Sequence, residues 1–388
     1  MSEPSATDLS SEARPGGSAA PSLSSVVGST HVVVCCGSGG VGKTTTAAVI
    51  ALHAAREGRR AVVVTIDPAR RLADALGLDG LTNTPARIAG DWPGQMWAMM
   101  LDTKATFDGL VRRYSADANQ AERILANSFY RNISGALSGT QEYMASEKLY
   151  ELAEETDFDL VVVDTPPTRN ALDFLEAPGR LAHFLDHRLY RILLSPSQGI
   201  GRAVNVATRA VMRSISKVVG ADVINDAIAF FRAFEGMEEG FKQRAAHVDE
   251  LLKADETAFV LVASPKADTV AEAGFFAEKL GETGIVVRGL IVNRMQPVFT
   301  GDIEGASEPE ALRARAVDVA GSAFSDHLTA LADGRQLARG EEDHLGGLAD
   351  RVSPAPVVRV PVQPFEVTDV GSLATLCDFM FPDAATHP

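Results

Sequence analysis

The chain contains little cysteine and no excess of basic charge. Three of its 388 residues are cysteine, Cys35, Cys36 and Cys377, and they form neither a C-x-x-C pair nor a cluster with histidine. Structural zinc sites use such pairs and clusters, so we expect no zinc and a reducing compartment. We interpret Cys35 and Cys36 as small apolar residues of a buried strand rather than as a redox pair. A formal net charge of −15 provides no broad basic face, so we expect no nucleic-acid partner.

Long apolar runs and a secretion signal are also missing. The N-terminus has no basic stretch followed by an apolar one, and no charge-free segment is long enough to cross a bilayer. We therefore expect a cytoplasmic protein. A composition of 46% hydrophobic and 22% charged residues is typical of a globular protein with a full core.

A complete phosphate-binding loop (P-loop) is present near the N-terminus. The run Gly37-Ser38-Gly39-Gly40-Val41-Gly42-Lys43-Thr44 lies between an apolar run at 31–36 and a helical pattern at 43–56. In such a loop, backbone N–H groups surround the β-phosphate, Lys43 neutralises phosphate oxygens and the Thr44 hydroxyl ligates Mg²⁺. We expect these residues and Thr45 to bind a nucleoside triphosphate. An accidental glycine-rich turn is disfavoured because strand, spacing and helix agree.

Apolar runs alternate with helical patterns along the chain. The first strand, the helix at 43–56 and the second strand form a βαβ unit, which is typical of a parallel sheet. The sequence therefore predicts an α/β fold, a P-loop NTPase with a mostly parallel twisted sheet flanked by helices. The predicted strands are 31–36, 61–66, 96–101, 160–164, 259–263, 285–293 and 357–362.

The sequence predicts one domain with an N-terminal tail and an inserted helical subdomain. Residues 1–30 are rich in Ser, Ala, Pro and Gly without apolar periodicity, which predicts a disordered tail. Residues 31–388 are expected to form a single P-loop domain, with a helical subdomain inserted at about 103–156 and 179–248, where no strand pattern occurs. Residues 300–348 have low apolar density and are predicted to form a long surface excursion with some helical character.

The second helical stretch contains an amphipathic basic pattern. Arg202, Arg209, Arg213 and Lys217 follow at spacings of seven, four and four. A helix that packs on its own domain with a solvated basic face is favoured over a membrane-surface helix, and the latter would imply peripheral membrane association. For the apolar segment 230–237, core packing is favoured over a groove.

Asp164 ends the apolar run 160–163 and is followed by Thr165-Pro166-Pro167-Thr168. The carboxyl ends of parallel strands present ligand-binding groups, so Asp164 is the candidate to hold Mg²⁺ through its hydration shell, as a Walker B carboxylate. An N-cap role for Asp164 is the alternative, but it leaves the apolar run before this residue unexplained.

Asp67 ends the predicted strand 61–66 and brings a second carboxylate to the same sheet edge. It is the candidate to orient or deprotonate an attacking water. Helix capping is a serious alternative, because Asp-Pro often starts a helix.

Four segments in this order resemble the loops of arsenite-pump (ArsA-type) and guided-entry ATPases, which target tail-anchored proteins. They are 37–46, 67–74, 164–168 and 291–294, and the resemblance spans about residues 32–381. Residues 134–144 are similar to actinobacterial-style members. The resemblance implies a Mg²⁺-dependent, deviant-Walker ATPase that works as a nucleotide-gated dimer. It also implies that ATP binding and hydrolysis rearrange the dimer and the helical subdomain. This rearrangement would serve to handle a hydrophobic client or a membrane factor.

The resemblance also assigns residues to the base. Asn293 is implied to read the adenine edge, with the segment from Pro361 to Phe365 packed on the base. A role for Asn293 as a simple strand-end turn residue is the alternative.

Two departures from the family are visible. The family usually has a signature lysine before Gly-Gly that reaches the partner's phosphates, and this chain has Ser38 there. We therefore expect either a homodimer or a heterodimer with a lysine-bearing paralogue. The heterodimer is our hypothesis, because a homodimer would lack part of the catalytic charge. A regulatory or scaffold subunit with weak turnover is the alternative, opposed by the retained Lys43, Thr44, Asp67 and Asp164. The second departure is that no cysteine set for zinc or arsenite exists.

Overall fold

The computed structural model describes residues 21–67, 70–133, 140–186, 221–298, 308–321 and 323–382. These residues contain an eight-stranded sheet. The strands are β1 (Val32–Cys36), β2 (Arg60–Thr65), β3 (Ala86–Ile88), β4 (Gln95–Met100), β5 (Leu160–Asp164), β6 (Thr257–Ala263), β7 (Val287–Met295) and β8 (Val357–Pro361).

The sheet has the strand order β3-β4-β2-β5-β1-β6-β7-β8, and every neighbouring pair is parallel except β3 with β4. The central strand β1 is buried along its whole length, as a Val-rich strand covered on both faces should be. The predicted α/β fold with a mostly parallel sheet is confirmed. The antiparallel edge strand β3 was not predicted, because three residues are too short to produce a pattern.

Helices cover both faces of the sheet and fill the connections. They are α1 (Leu23–Ser29), α2 (Lys43–Arg56), α3 (Arg71–Ala75), α4 (Thr103–Tyr114), α5 (Ala118–Ala126), α6 (Ser128–Ile133), α7 (Thr140–Glu154), α8 (Thr168–Asp186), α9 (Ala221–Phe234), α10 (Glu238–Lys253), α11 (Ala267–Glu282), α12 (Pro309–Asp318), α13 (Ala323–Val352) and α14 (Val370–Met380). One core joins the sheet to α1, α2 and α14. The core on the other face joins it to α7, α8, α10, α11 and α13.

The prediction of a disordered tail over 1–30 is wrong at its end. Ser22 and Ser25 form a reciprocal capping box that starts α1, and Leu23, Val26 and Val27 are buried in the core beneath it. The sequence did not reveal this helix because seven residues with three apolar side chains are too few for periodicity. Residues 1–20 lie outside the described part of the chain.

The surface excursion predicted over 300–348 is also wrong in its described part. The segment forms α12 and the 30-residue helix α13, which buries Leu345, Leu348 and Val352 in the core beside the sheet. Only six residues of α13 are buried along its length, so the apolar density is low although the helix packs on the domain.

The two stretches predicted to form a helical subdomain are helical wherever they are described. Helices α4 to α10 share a separate aromatic core that includes Tyr130, Phe230, Phe234 and Phe241. The segment 230–237 therefore belongs to a core. The basic pattern over 202–217 lies outside the described residues, and the bounds of the subdomain remain a prediction.

Among the helices of the described residues, none combines the length and the apolar composition needed to cross a bilayer.

His53 in α2 is a buried histidine without a charge partner. Its ring stacks on Phe381 at a centroid distance of 3.7 Å, and its Nε2 lies 3.1 Å from the Ser24 hydroxyl of α1. Its Nδ1 is buried and has no hydrogen-bond partner. Burial, reinforced by the positive charge of Arg56, lowers the pKa of His53 to about 4.

We expect His53 to make the free energy of unfolding depend on pH. Because the folded-state pKa of about 4 lies below the ordinary 6.5, the unfolded chain takes up the proton first, and stability is lost as pH falls from 6.5 towards 4. The full effect is about 3 kcal/mol. Urea denaturation across this range should show a shallower pH dependence in His53→Phe, which keeps the ring stacking, than in the control His247→Phe at an exposed site. Equal slopes would contradict the assignment.

Candidate functional site

The P-loop connects the end of β1 to the start of α2. Two of its glycines are required by their surroundings. A Cβ atom on Gly37 would lie 2.1 Å from the carbonyl oxygen of Val262, and Gly42 has a φ of 98°, which side chains rarely tolerate. The loop therefore turns tightly against β6 before α2 begins at Lys43.

Lys43 is folded back over the loop. Its Nζ donates a 2.9 Å hydrogen bond to the carbonyl oxygen of Ser38, and the residue is 8% exposed. Burial lowers the pKa of Lys43, while the negative charge of Asp164 acts in the opposite direction. The amine thus lies inside the loop, in the position from which a lysine can exchange a carbonyl for a phosphate oxygen.

Asp164 lies at the carboxyl end of β5, in register with Cys35 of β1 and Thr65 of β2. Its Oδ2 accepts hydrogen bonds from the hydroxyls of Thr44 and Thr65, both at 2.8 Å. Its Oδ1 is buried and has no hydrogen-bond partner. Burial raises the pKa of Asp164, against the effect of the two hydroxyls and of Lys43. The carboxylate is held by the threonines rather than used as a helix cap.

The oxygens of the Thr44 hydroxyl and the Asp164 carboxylate are suitable ligands for Mg²⁺. A buried carboxylate oxygen without a partner has a cost of about 1–3 kcal/mol unless a ligand satisfies it. Hard divalent cations take hydroxyl, carboxylate and water oxygens, and the Thr44 hydroxyl and Asp164 provide the first two. The described residues contain no group of three or more His, Cys, Asp or Glu side chains that could hold another metal. The expectation about zinc stays a prediction.

The cysteines are buried and not paired. Cys35 and Cys36 lie in β1, and burial raises the pKa of Cys36 to about 12. Their interpretation as apolar residues of a buried strand is confirmed.

Asp67 follows β2 at the same sheet edge. Its Oδ2 lies 3.5 Å from Nη1 of Arg71, and its side chain is 25% exposed. Helix α3 begins after Arg70, whose side chain does not cap it, and the capping alternative for Asp67 stays a prediction. The neighbouring Ile66 carbonyl accepts a 3.1 Å hydrogen bond from Gln141 of α7, which links this loop to the helical region. Residues 68–69 lie outside the described chain.

Asn293, near the end of β7, touches the P-loop directly. Its Nδ2 donates a 2.9 Å hydrogen bond to the carbonyl oxygen of Val41, and its Oδ1 accepts one from the N–H of Arg294. Sequence reasoning did not foresee this contact with the loop. Pro361 ends β8 opposite Met295, and Phe365 follows it in the chain. Adenine recognition by Asn293, Pro361 and Phe365 remains a prediction.

A cleft of about 890 Å³ opens beside the P-loop. It lies between the loop, the segment that follows β6 and the polar face of α13. Sequence reasoning missed its lining, although Ser264-Pro265-Lys266 directly follows a buried strand and could have been recognised as a loop at the same sheet edge. The charged side chains along the cleft are Lys266, Asp268, Arg294, Arg313, Asp333 and Glu341, and His344 also lines it.

The fold thus brings the predicted P-loop, both predicted carboxylates and Asn293 to one edge of the sheet. Pro361 and Phe365 do not line the adjoining cleft. The roles assigned to these residues in binding and catalysis remain predictions.

Comparison with known proteins agrees with the motifs. The chain is 26% identical over 274 residues to ATPase ARSA2 of Chlamydomonas reinhardtii, covering 70% of this chain and 68% of that protein. It is 23% identical over 262 residues to ATPase GET3A of Arabidopsis thaliana, covering 67% and 65%. It is 26% identical over 285 residues to the arsenical pump-driving ATPase of Acidiphilium multivorum, covering 72% and 40%. The chain thus spans between two fifths and about two thirds of the length of these relatives.

A family model described as anion-transporting ATPase matches residues 30–328, from just before β1 into α13. The match includes the P-loop, both carboxylate loops and Asn293, and it confirms the family predicted from the four ordered segments. Since it covers well over half of the chain, the protein belongs to the anion-transporting ATPase (ArsA) family.

Proposed function

We propose that this protein is a Mg²⁺-dependent ATPase that couples ATP binding and hydrolysis to movement of its helical region. The observation that carries the proposal is the Asp164 carboxylate, which is bound to the Thr44 hydroxyl through one oxygen and left with a buried, partnerless second oxygen. A purely structural carboxylate has no reason to keep that oxygen unsatisfied. Direct measurement of ATP hydrolysis and of its Mg²⁺ dependence by the purified chain tests the proposal.

Each residue has a chemical role in this proposal. Lys43 and the loop N–H groups hold the phosphates, Thr44 and Asp164 hold Mg²⁺, Asp164 through water, and Asp67 orients the attacking water. When bound, Mg²⁺ neutralises charge on the phosphates. The water oxygen bonds to the γ-phosphorus while the bond to the β–γ bridging oxygen breaks, leaving its electron pair on ADP. The water proton passes by way of Asp67 to the released phosphate.

A contact between Gln141 and the Ile66 carbonyl supports coupling to the helical region. Gln141 lies at the start of α7, whose residues 145–153 pack on the sheet and whose Tyr143 and Met144 belong to the separate aromatic core. Farther along α7, Glu147 accepts a 2.7 Å hydrogen bond from Nε of Arg244 in α10. A displacement of the Asp67 loop on loss of the γ-phosphate would therefore reach several helices through one rigid element.

We further propose that the active assembly is a heterodimer with a paralogue that carries the signature lysine, and that its client is a hydrophobic segment or a membrane factor in the cytoplasm. The support is the sequence of the loop, where Ser38 provides no cation for a neighbouring site. Among the relatives, the name arsenical pump-driving ATPase describes an ATPase that drives a pump.

A second candidate function is a scaffold subunit that binds ATP and turns it over poorly. Ser38 is the observation that favours it. The loop lysine, the Thr44–Asp164 pair and Asp67 argue against it, because they are all retained at one sheet edge.

Asp67→Asn should lower single-turnover hydrolysis by about 100-fold or more, because an amide orients a water poorly and cannot accept its proton. Binding of a non-hydrolysable ATP analogue should stay within about threefold of the wild-type value, since no binding contact is assigned to this side chain. Asp74→Asn, an exposed carboxylate in α3, is the matched control. Unchanged hydrolysis in Asp67→Asn, alone and with the paralogue, would favour the scaffold function.

Addition of a lysine-bearing paralogue should raise ATP turnover per site by about tenfold over the purified chain, because a cation on the developing phosphate charge lowers the barrier. Size-exclusion chromatography with light scattering should show a 1:1 complex. Replacement of the paralogue's signature lysine by alanine should abolish the gain while the complex persists. No complex, or full activity of the chain alone, would contradict the heterodimer.

A further inference from the structure

Arg71 is a cationic side chain at the edge of the phosphate site. It is the first residue of α3, and its Nη1 lies 3.5 Å from Oδ2 of Asp67. The side chain is 63% exposed, so it is free to adopt other rotamers. Arg71 thus places a cation within 4 Å of the carboxylate proposed to orient the water.

Helix stability does not explain Arg71. A positive charge at the first position of a helix opposes the helix dipole. The exposed pair with Asp67, four residues earlier, contributes less than about 1 kcal/mol. The five-residue helix α3 is instead held by burial of Leu72, Ala73 and Ala75. Packing and electrostatics of α3 therefore give no reason for an arginine at this position.

The positive charge of Arg71 reaches the P-loop. Burial is the main cause of the lowered pKa of Lys43, and the like charge of Arg71 adds to it. Asp67 acts on Lys43 in the opposite direction. Arg71, Asp67 and Lys43 thus share one electrostatic environment at the carboxyl ends of β1 and β2.

The role proposed for Asp67 limits the distance between the Arg71 guanidinium and the γ-phosphate. A carboxylate that orients the attacking water lies about 3 Å from that water, which lies about 3–3.5 Å from the γ-phosphorus. A guanidinium 3.5 Å from the same carboxylate then lies at most roughly 10 Å from the γ-phosphorus, a span that the long, exposed Arg71 side chain can shorten by changing its rotamer. Its several N–H donors let it contact a carboxylate and a phosphate together.

The P-loop also contains little positive charge. In residues 37–44 the only charged side chain is Lys43, since Ser38 occupies the position of the signature lysine. The oxygens of the transferred phosphoryl group and the leaving ADP oxygen both gain from a nearby cation as the β–γ bond breaks.

We propose that Arg71 is a catalytic residue that contacts the γ-phosphate bound to its own chain and stabilises the charge on the leaving ADP oxygen and the transferred phosphoryl group. The proposal rests on the ATPase function proposed above. In this proposal, Arg71 gives the chain a basal rate of ATP hydrolysis, and a partner's lysine would increase that rate.

The test compares Arg71→Gln with Arg70→Gln, the adjacent exposed arginine, in the full chain. Calorimetry would measure affinity for a non-hydrolysable ATP analogue with Mg²⁺ and for ADP with aluminium fluoride, which imitates the transferred phosphoryl group. Arg71→Gln should keep analogue affinity within about threefold but lose at least about tenfold in aluminium fluoride affinity and in kcat, with little change in KM. Arg70→Gln should match the wild type in every measurement.

A double variant separates contact with phosphate from a role through Asp67. In the Asp67→Asn background, Arg71→Gln should still weaken aluminium fluoride binding by a similar factor. If the loss disappears there, Arg71 acts only by holding Asp67 and the proposal is overturned. It is also overturned if Arg71→Gln binds the mimic like the wild type, or if Arg70→Gln loses as much. A wild-type chain that neither binds the analogue nor hydrolyses ATP would instead reject the ATPase function itself.

Discussion

The hydrogen bonds of Thr44 and Thr65 to one oxygen of Asp164 are the interaction on which the candidate site depends. They join the first turn of α2, the end of β2 and the end of β5, so the P-loop and both carboxylate loops keep a fixed spacing. A buried carboxylate needs such partners, because loss of solvation disfavours its charge. Only one of its oxygens is satisfied, which leaves a cost that a bound cation can offset. The parallel register of β1, β2 and β5 makes this convergence possible.

Helix α7 connects the same sheet edge to the helical region. Helix α7 belongs to two cores, one beside the sheet and one among the aromatic residues of the helices. Arg244 ties this helix to α10 through Glu147, and it also bonds to Glu155 at 2.6 Å and lies over the ring of Tyr150. Removing one partner of a buried ion pair of this kind strongly destabilises the fold, so this pair fixes α7 against α10. In the ATPase cycle proposed above, motion of the Asp67 loop would reach these helices through the hydrogen bond of Gln141 to the Ile66 carbonyl.

The sequence allowed most of the fold to be predicted, because the Val-rich strands are buried on both faces and leave continuous apolar runs such as 160–163. Prediction from the sequence failed for elements that have no continuous or periodic apolar pattern. Strand β3 and helix α1 are too short for a period, and α13 buries few side chains along 30 residues. In the site, the P-loop and both carboxylates carry local motifs, so they could be predicted. The bond of Asn293 to Val41 joins residues 252 positions apart, and a single sequence contains no record of such a contact.

Ser38 and Arg71 together suggest how this chain divides catalytic charge between itself and a partner. Ser38 is 5% exposed, its hydroxyl has no hydrogen-bond partner, and so short a buried side chain cannot reach a neighbouring phosphate. Arg71 is long, exposed and next to its own Asp67. A cation acting across an interface makes turnover depend on assembly, whereas one acting within the chain does not. If both proposals hold, this chain would provide no signature lysine for its partner's phosphates, while Arg71 would provide a cation for its own. The two sites of a heterodimer would then differ in rate, because their cations come from different places.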